Sequence, residues 1–274
     1  MDFRIPLLVV LLSLFIAPVL SGQDTDMQSR NVDAEQAGLA VADYDLIDRL
    51  MLRVPGVAVS ASANVQEQSV KSYMMPVRRS ERTSLMASYM LASCLEYYTN
   101  LEKNYKVNLS PDYIALNLRA QGRTLTMTDA FRFLSEDGTV SAAIMPYGAS
   151  SIPNAVYATP KFRIVHYLHV IRPVTKARQK VFELRKALLR GNPVLVEVEA
   201  GPDLPAAEGV GFWRPGRSGN AQSYPLIVVG FDENREAFEV MSAWGSRWGR
   251  GGYLWISYDD LSAFAKNGYV LVPQ

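Results

Sequence analysis

A run of glycines and tryptophans near the C-terminal end constrains the fold of this chain more than any other feature. Residues 243–253 read AWGSRWGRGGY, and two short apolar segments precede them, at residues 225–230 and 237–240. The apolar, β-branched content of these segments and the turn residues between them predict two strands. The first of these strands is expected to be buried and to end at a glycine. We call residues 243–253 the Gly–Trp frame.

This stretch resembles the C-terminal lobe of papain-like cysteine peptidases. In that family the first strand opens with the catalytic histidine, as H-A-V-L-V-V-G-Y. The second strand leads to N-S-W-G-x-x-W-G-x-x-G-Y, whose asparagine orients the histidine. The resemblance places Tyr224 at the histidine position and Ser242 at the asparagine position. It also implies that Trp244, whose family counterpart shields the histidine and asparagine from water, here shields Tyr224. A hydrogen bond between Tyr224 and Ser242 is expected to replace the lost pair.

The resemblance extends to residues 83–98, where a nearly continuous apolar pattern predicts a helix that is buried on all sides. The family nucleophile is a cysteine in the first turn of this helix, where the helix dipole and an imidazolium lower the thiol pKa. The P-V-R sequence at residues 76–78 and the aromatic Tyr89 set the register. Ser80 then occupies the position of the oxyanion-binding glutamine, and Met86 that of the cysteine. A thioether neither ionises nor attacks a carbonyl, so the resemblance implies a protein that is not an enzyme and has no catalytic residues.

Three other residues carry side chains that could replace the missing cysteine or histidine: Cys94, His166 and His169. Cys94 lies about 12 Å further along the predicted helix than the cysteine position, at about 1.5 Å per residue, and is expected to be a small buried hydrophobe. His166 and His169 are three residues apart on a predicted strand, so their side chains point to opposite faces and cannot share a metal. The sequence therefore predicts neither a metal site nor a cofactor.

The remaining pattern places helices before strands, which is typical of an α+β fold. The family resemblance implies a papain-like arrangement, with a helical left lobe and a β-rich right lobe. Residues 201–223 are rich in Gly, Pro and Ser and predict a long loop. We expect Phe212 and Trp213 in this loop to cover or extend the groove between the lobes. The predicted elements are a helix that begins at Ser110-Pro111, a helix at 127–134, a strand at 162–172, a helix at 179–190 and a strand at 193–199.

The N-terminal residues are typical of a secretory signal peptide. Arg4 precedes an apolar run at residues 5–20, and small residues and a polar segment follow. We therefore predict a signal peptide at 1–22, a polar leader at 23–53 with a short helix, and a peptidase-like domain at 54–274. The alternative is an uncleaved membrane anchor. The chain has one cysteine and hence no intrachain disulfide, which resembles bacterial family members, so a periplasmic or extracellular bacterial protein is expected.

These observations predict an exported pseudopeptidase that binds a peptide or protein partner in its groove without cleaving it. The net charge of +1 gives no indication of a nucleic acid partner or of membrane binding after signal cleavage. One alternative is a hydrolase with relocated residues in the same groove. Ser84 or Ser88 would then need a base, and Tyr224, with a phenol pKa of about 10, is a poor base at neutral pH. Another alternative is a structural subunit of a surface assembly. The oligomeric state stays open.

Overall fold

The protein is described here by a computed structural model. The predicted signal peptide at 1–22, and the part of the leader that runs to residue 39, lie outside the described residues. The described ranges are residues 40–60, 65–103, 105–122, 126–216 and 220–274.

Three helices form the first lobe. A 3₁₀ turn, Thr83–Leu85, leads directly into the long central helix α2, Met86–Lys103, which confirms the predicted helix over 83–98. Helix α3, Pro111–Ala120, begins at an N-cap where the hydroxyl of Ser110 accepts a hydrogen bond from the amide of Tyr113 at 3.3 Å. Helix α4, Met127–Glu136, is capped in the same way by Thr126. These caps explain why the helices begin where the sequence predicts.

The second lobe is built on one nine-stranded sheet. Its order is β1-β3-β9-β4-β6-β7-β8-β5, with β2 paired to β6, and every neighbouring pair from β3 to β8 is antiparallel. Two further helices pack in this lobe, α5 (Ala177–Leu189) and α6 (Tyr258–Phe264). The strands are β1 Ala40–Val41, β2 Glu67–Ser69, β3 Ile164–Ile171, β4 Val194–Ala200, β5 Phe212–Trp213, β6 Gln222–Asp232, β7 Ala237–Met241, β8 Tyr253–Ser257 and β9 Ala265–Pro273.

The two predicted strands before the Gly–Trp frame are confirmed as β6 and β7, which pair antiparallel with each other. Within the frame, Gly249 and Gly252 have positive φ angles, of 57° and 88°. A Cβ at Gly252 would lie 2.5 Å from the side chain of Val77, and a Cβ at Gly249 would lie 2.0 Å from the carbonyl oxygen of Tyr253. Both positions therefore require glycine, because a side chain would collide with the neighbouring chain.

The segment before residue 54 packs against the sheet. Strand β1 pairs in parallel with β3. Helix α1, Tyr44–Leu50, follows β1 and corresponds to the short helix predicted in the leader. Ile47 and Met51 are buried in the hydrophobic core. The domain boundary at residue 54 stays a prediction.

The lobes meet where the segment before α2 reaches the residue after β7. The amide of Ser80 donates to the carbonyl of Ala243 at 2.7 Å, and Arg79 forms a β-bridge with Trp244. Helix α2 packs against β6 and β9, so its apolar sides are enclosed by both lobes. This arrangement confirms the expected α+β fold with two lobes. Across the described ranges, none of the helices combines the length and the apolar character needed to span a bilayer.

Candidate binding groove between the lobes

A cavity of about 210 Å³ opens at the N-terminal end of α2, where the helical lobe faces the β-rich lobe. It contains the position at which the sequence resemblance places a nucleophile. We call this cavity the groove. Its walls come from the segment before α2, from the loop that follows β4 and from the Gly–Trp frame. The lining residues are Arg79, Ser80, Glu81, Thr83, Met86, Pro205, Glu208, Trp244 and Trp248.

Met86 is the first residue of α2 and is 1% exposed. The free amides of a helix N-terminus stabilise negative charge, which is why a thiolate is favoured at such a position. The thioether carries no ionisable proton, so the helix dipole has no group to activate here. The Met86 side chain is therefore an apolar group packed at the tip of the helix, beneath the surface of the groove.

Ser80 reaches the groove from the segment before α2. Its hydroxyl donates to the backbone carbonyl of Arg82 at 2.8 Å, while its amide holds Ala243. Both donors of Ser80 are therefore engaged within the protein. Ser80 therefore connects the two lobes, and neither of its donors is free to bind the carbonyl oxygen of a peptide in the groove.

Tyr224 lies on β6 and is largely buried. Its hydroxyl donates to the side-chain oxygen of Gln222 at 3.5 Å. Burial, and to a lesser degree the charge of Asp203, raise the pKa of the Tyr224 phenol above its usual value. The phenol stays protonated at neutral pH and cannot serve as a general base there.

Ser242 directly follows β7 and is fully buried. Its hydroxyl oxygen has no hydrogen-bond partner among the described residues. The expected hydrogen bond between Tyr224 and Ser242 is therefore wrong, because the phenol turns to Gln222 instead. The two residues do not form a substitute for a histidine–asparagine pair.

Two indole rings form the wall of the groove on the side of the β-rich lobe. Trp244 and Trp248 pack with 5.0 Å between their ring centroids. Trp248 is fully buried and donates its indole N–H to the carbonyl of Leu204 at 2.7 Å, which fixes the loop after β4 to the frame. Trp244 is half-buried and keeps one edge on the groove.

The cysteine and the histidines lie elsewhere. Cys94 is fully buried in the middle of α2, and burial raises the pKa of its thiol. His166 and His169 lie on β3, opposite Val272 and Tyr269 of β9. The Nε2 atom of His169 forms a hydrogen bond with the Oδ1 atom of Asn267 at 3.1 Å. None of the three lines the groove.

The structure of residues 201–216 and 220–223 differs from the single long loop predicted over 201–223. The middle of this segment forms β5, which pairs in parallel with β8. Trp213 is buried, donates to the carboxylate of Asp203 at 2.8 Å and packs against Phe264. The expectation that Phe212 and Trp213 cover the groove is therefore wrong, because Pro205 and Glu208 line it instead.

A second cavity, of about 360 Å³, adjoins the groove and shares Arg79 and Glu81 with it. This side cavity is not evident from the sequence, because its residues come from three separate segments that only the fold brings together. Its floor is partly apolar, and its rim carries arginines and two carboxylates. The lining residues are Arg79, Glu81, Arg82, Leu85, Tyr89, Asp112, Ala115, Leu116, Arg119, Tyr147, Gly148, Ala149 and Ser150.

Comparison with known proteins supports the resemblance. A family model described as "Papain family cysteine protease" matches residues 92–269, a segment that begins within α2, after Met86. The chain is similar to ananain from Ananas comosus, with 20% identity over 264 residues, which cover 92% of this chain and 72% of that protein. It is also similar to procathepsin L from Mus musculus, with 24% identity over 222 residues, which cover 77% of this chain and 62% of that protein.

A solved structure shows the same fold. The digestive procathepsin L 3 of Tenebrio molitor larval midgut superposes with a TM-score of 0.65 at 15% identity, covering 91% of this chain and 88% of that chain. These matches contradict the expectation that the protein is not an enzyme. The matching family is one of cysteine proteases, and the relatives carry the names of such enzymes.

Proposed function

The chain belongs to the papain family of cysteine proteases, and we propose that its groove binds an extended segment of a peptide or protein partner without cleaving it through a papain-type thiolate. The observation that carries this proposal is Met86 at the tip of α2, in a cavity with an indole wall. Two lobes that meet at a cleft form a concave site whether or not a nucleophile is present.

The lining of the groove suits a polypeptide. Trp244, which is half-buried, offers apolar contact, while Thr83 and Glu208 place polar groups at the rim. Extended peptides are commonly held by backbone hydrogen bonds, with side-chain pockets that provide specificity. Aromatic residues at the centre of such surfaces carry much of the binding free energy.

The proposal is tested with protein from residue 23 onward and a rhodamine-labelled pool of degenerate decapeptides. We expect saturable binding by fluorescence anisotropy and no cleavage that a thiol reagent abolishes. Thr83 is exposed at the groove, so Thr83→Trp fills the groove and is expected to weaken binding at least about tenfold. Ala177→Trp, at the exposed start of α5, is the matched control and should bind as the wild type does. Absence of binding, or binding that Thr83→Trp leaves unchanged, contradicts the proposal.

Peptide hydrolysis by relocated groups is the second candidate, and the names of the relatives favour it together with one feature of the groove. The carboxylates of Glu81 and Glu208 line the same cavity as Met86. Carboxylates serve as general acids and bases in several classes of hydrolase. Mass spectrometry of the same peptide pool after prolonged incubation separates the candidates, because cleavage lost in Glu81→Gln or Glu208→Gln, and retained in Cys94→Ala, supports hydrolysis.

We also propose that the protein is exported from a bacterial cell. Arg4 and the apolar run at 5–20 support export, and the single cysteine of the chain supports a bacterial source. Expression of the full chain in a bacterium, followed by fractionation and N-terminal sequencing, tests this proposal. A mature protein that begins near Gly22 or Gln23, in the periplasm or the medium, is the expected result. A protein that retains Met1 in the cytoplasm or the membrane contradicts it.

A further inference from the structure

The side cavity next to the groove carries more positive than negative charge. Three arginines line it: Arg79 and Arg82 from the segment before the 3₁₀ turn, and Arg119 from the last turn of α3. All three side chains are exposed, and none of them forms an ion pair within the described part of the chain. Three arginines therefore line one cavity, and none of their guanidinium groups has a carboxylate partner among the residues that the structure describes.

The two carboxylates in the side cavity do not neutralise these arginines. Asp112 is largely buried, and its carboxylate accepts the amide of Gly148 at 3.0 Å. Burial raises the pKa of Asp112, and Glu81 adds to this effect. Glu81 is exposed at the edge that the side cavity shares with the groove. Three guanidinium groups against two carboxylates leave an excess of positive charge.

Arg79 connects the side cavity to the groove. It lines both, and its backbone is fixed by the β-bridge to Trp244. The aliphatic stem of Arg79 lies against Gly245, where an added Cβ would be 3.2 Å from the Cβ of Arg79. A chain that lies in the groove beside Met86 therefore passes the mouth of the side cavity.

We propose that the side cavity is a specificity subsite for an acidic side chain, aspartate or glutamate, of the polypeptide held in the groove. Guanidinium groups bind carboxylates through paired, charge-assisted hydrogen bonds, and this geometry distinguishes a carboxylate from the neutral amide of the same shape. Leu85 and Leu116 provide apolar contact for the methylene groups of such a side chain. The inference rests on the proposed function, since an acidic side chain reaches the subsite only from a polypeptide in the groove.

The test uses two rhodamine-labelled decapeptide pools. One fixed position carries Glu in the first pool and Gln in the second, and this fixed position is moved along the peptide in successive pairs of pools. We expect the Glu pool to bind about tenfold more tightly than the Gln pool. Arg82→Gln and Arg119→Gln should each remove most of this difference, because they weaken binding of the Glu pool more than binding of the Gln pool. Glu81→Gln should increase the preference for Glu, because it removes a competing negative charge from the shared edge.

Arg178→Gln is the matched control, because Arg178 is exposed on α5 and its loss changes the net charge equally. Thermal unfolding checks that each variant folds. Equal affinity for both pools in the wild-type protein overturns the subsite and leaves peptide binding in place. A Glu preference that Arg178→Gln reduces as much as Arg119→Gln also overturns it, because the preference then reflects overall charge. Absence of binding by either pool overturns the proposed function together with the subsite.

Discussion

The phenol ring of Tyr224 packs edge to face against the indole of Trp244, with 5.4 Å between the ring centroids. This contact joins the residue of β6 that the sequence resemblance places at the histidine position to the wall of the groove that Met86 also lines. Edge-to-face pairs of this kind are worth about 1 kcal/mol beyond the area that they bury. The contact thus orders the β-rich side of the groove without an acid–base group.

The first prediction restores the ionisable pair. In a Cys94→Ala background, Met86→Cys alone should give a thiol that reacts slowly with iodoacetamide at pH 6, while Met86→Cys with Tyr224→His should react about tenfold faster. The physical reason is that a neighbouring imidazolium and a helix N-terminus both lower a thiol pKa. The pH dependence of the alkylation rate measures this pKa. Identical pH profiles for the two variants would show that position 224 does not face position 86.

The second prediction concerns the ion pair of Arg78 and Glu96, which fixes the segment before α2 to the middle of that helix. The side chain of Glu96 is 0% exposed and that of Arg78 is 10% exposed. The amide of Leu109 also donates to the Glu96 carboxylate. Glu96→Gln should therefore lower the free energy of unfolding by about 3 kcal/mol, because it leaves a poorly compensated buried guanidinium. Denaturant unfolding is the measurement.

Glu102→Gln provides the control for this experiment, because Glu102 is exposed on the same helix. Its effect should stay within about 0.5 kcal/mol. A loss of similar size in both variants would mean that the effect belongs to the helix and not to the ion pair.

The sequence predicted the scaffold better than the site. The start of α3 and the tight turns of the Gly–Trp frame were predictable, because each depends on neighbouring residues alone. Ser110 and Pro111 determine the helix start, and the glycines of the frame determine the turns. Strand β9 was not predicted, because it begins directly after α6 without a Gly or Pro between them. Strand β8 and helix α6 were missed for a similar reason, since Ser257 ends one and caps the other.

The side cavity could not be predicted, because its parts are distant in sequence and meet only through tertiary packing. Arg119 lies at the end of α3, and Arg79 lies before α2. An exposed arginine in either place is indistinguishable from an ordinary surface residue until the fold brings the two together. The hydroxyl of Ser242 was misjudged for the opposite reason, because residue identity does not show which way a side chain turns.

The third prediction follows from Ser242. Its hydroxyl is buried without a hydrogen-bond partner in the described ranges, so Ser242→Ala should leave the free energy of unfolding unchanged or raise it by up to about 1 kcal/mol. Ser110→Ala is the matched comparison, since its buried hydroxyl caps α3. That variant should lose about 1 kcal/mol. If Ser242→Ala loses as much as Ser110→Ala in denaturant unfolding, the Ser242 hydroxyl forms a stabilising hydrogen bond in the folded protein, which contradicts the prediction.

The fourth prediction is a pH dependence that originates at His169. Its ring stacks on Tyr269 with 4.7 Å between centroids and bonds to Asn267. Burial lowers its pKa from 6.5 to about 4, with Arg172 contributing in the same direction. The neutral imidazole is thus favoured by the fold. This stabilisation is complete above about pH 6.5 and is lost as the pH falls toward 4, because the unfolded chain then binds a proton that the folded protein excludes.

The size of this effect is about 3 kcal/mol between pH 7 and pH 4, at about 1.4 kcal/mol for each unit of pKa difference. Glu197, whose pKa burial raises, acts in the opposite direction, because the folded protein then holds a proton that the unfolded chain releases. The difference between the wild type and His169→Phe therefore isolates the histidine. We expect the free energy of unfolding of the wild type to fall by this amount relative to that of His169→Phe as the pH falls. A constant difference from pH 7 to pH 4 would mean that the imidazole is already free to accept a proton in the folded protein.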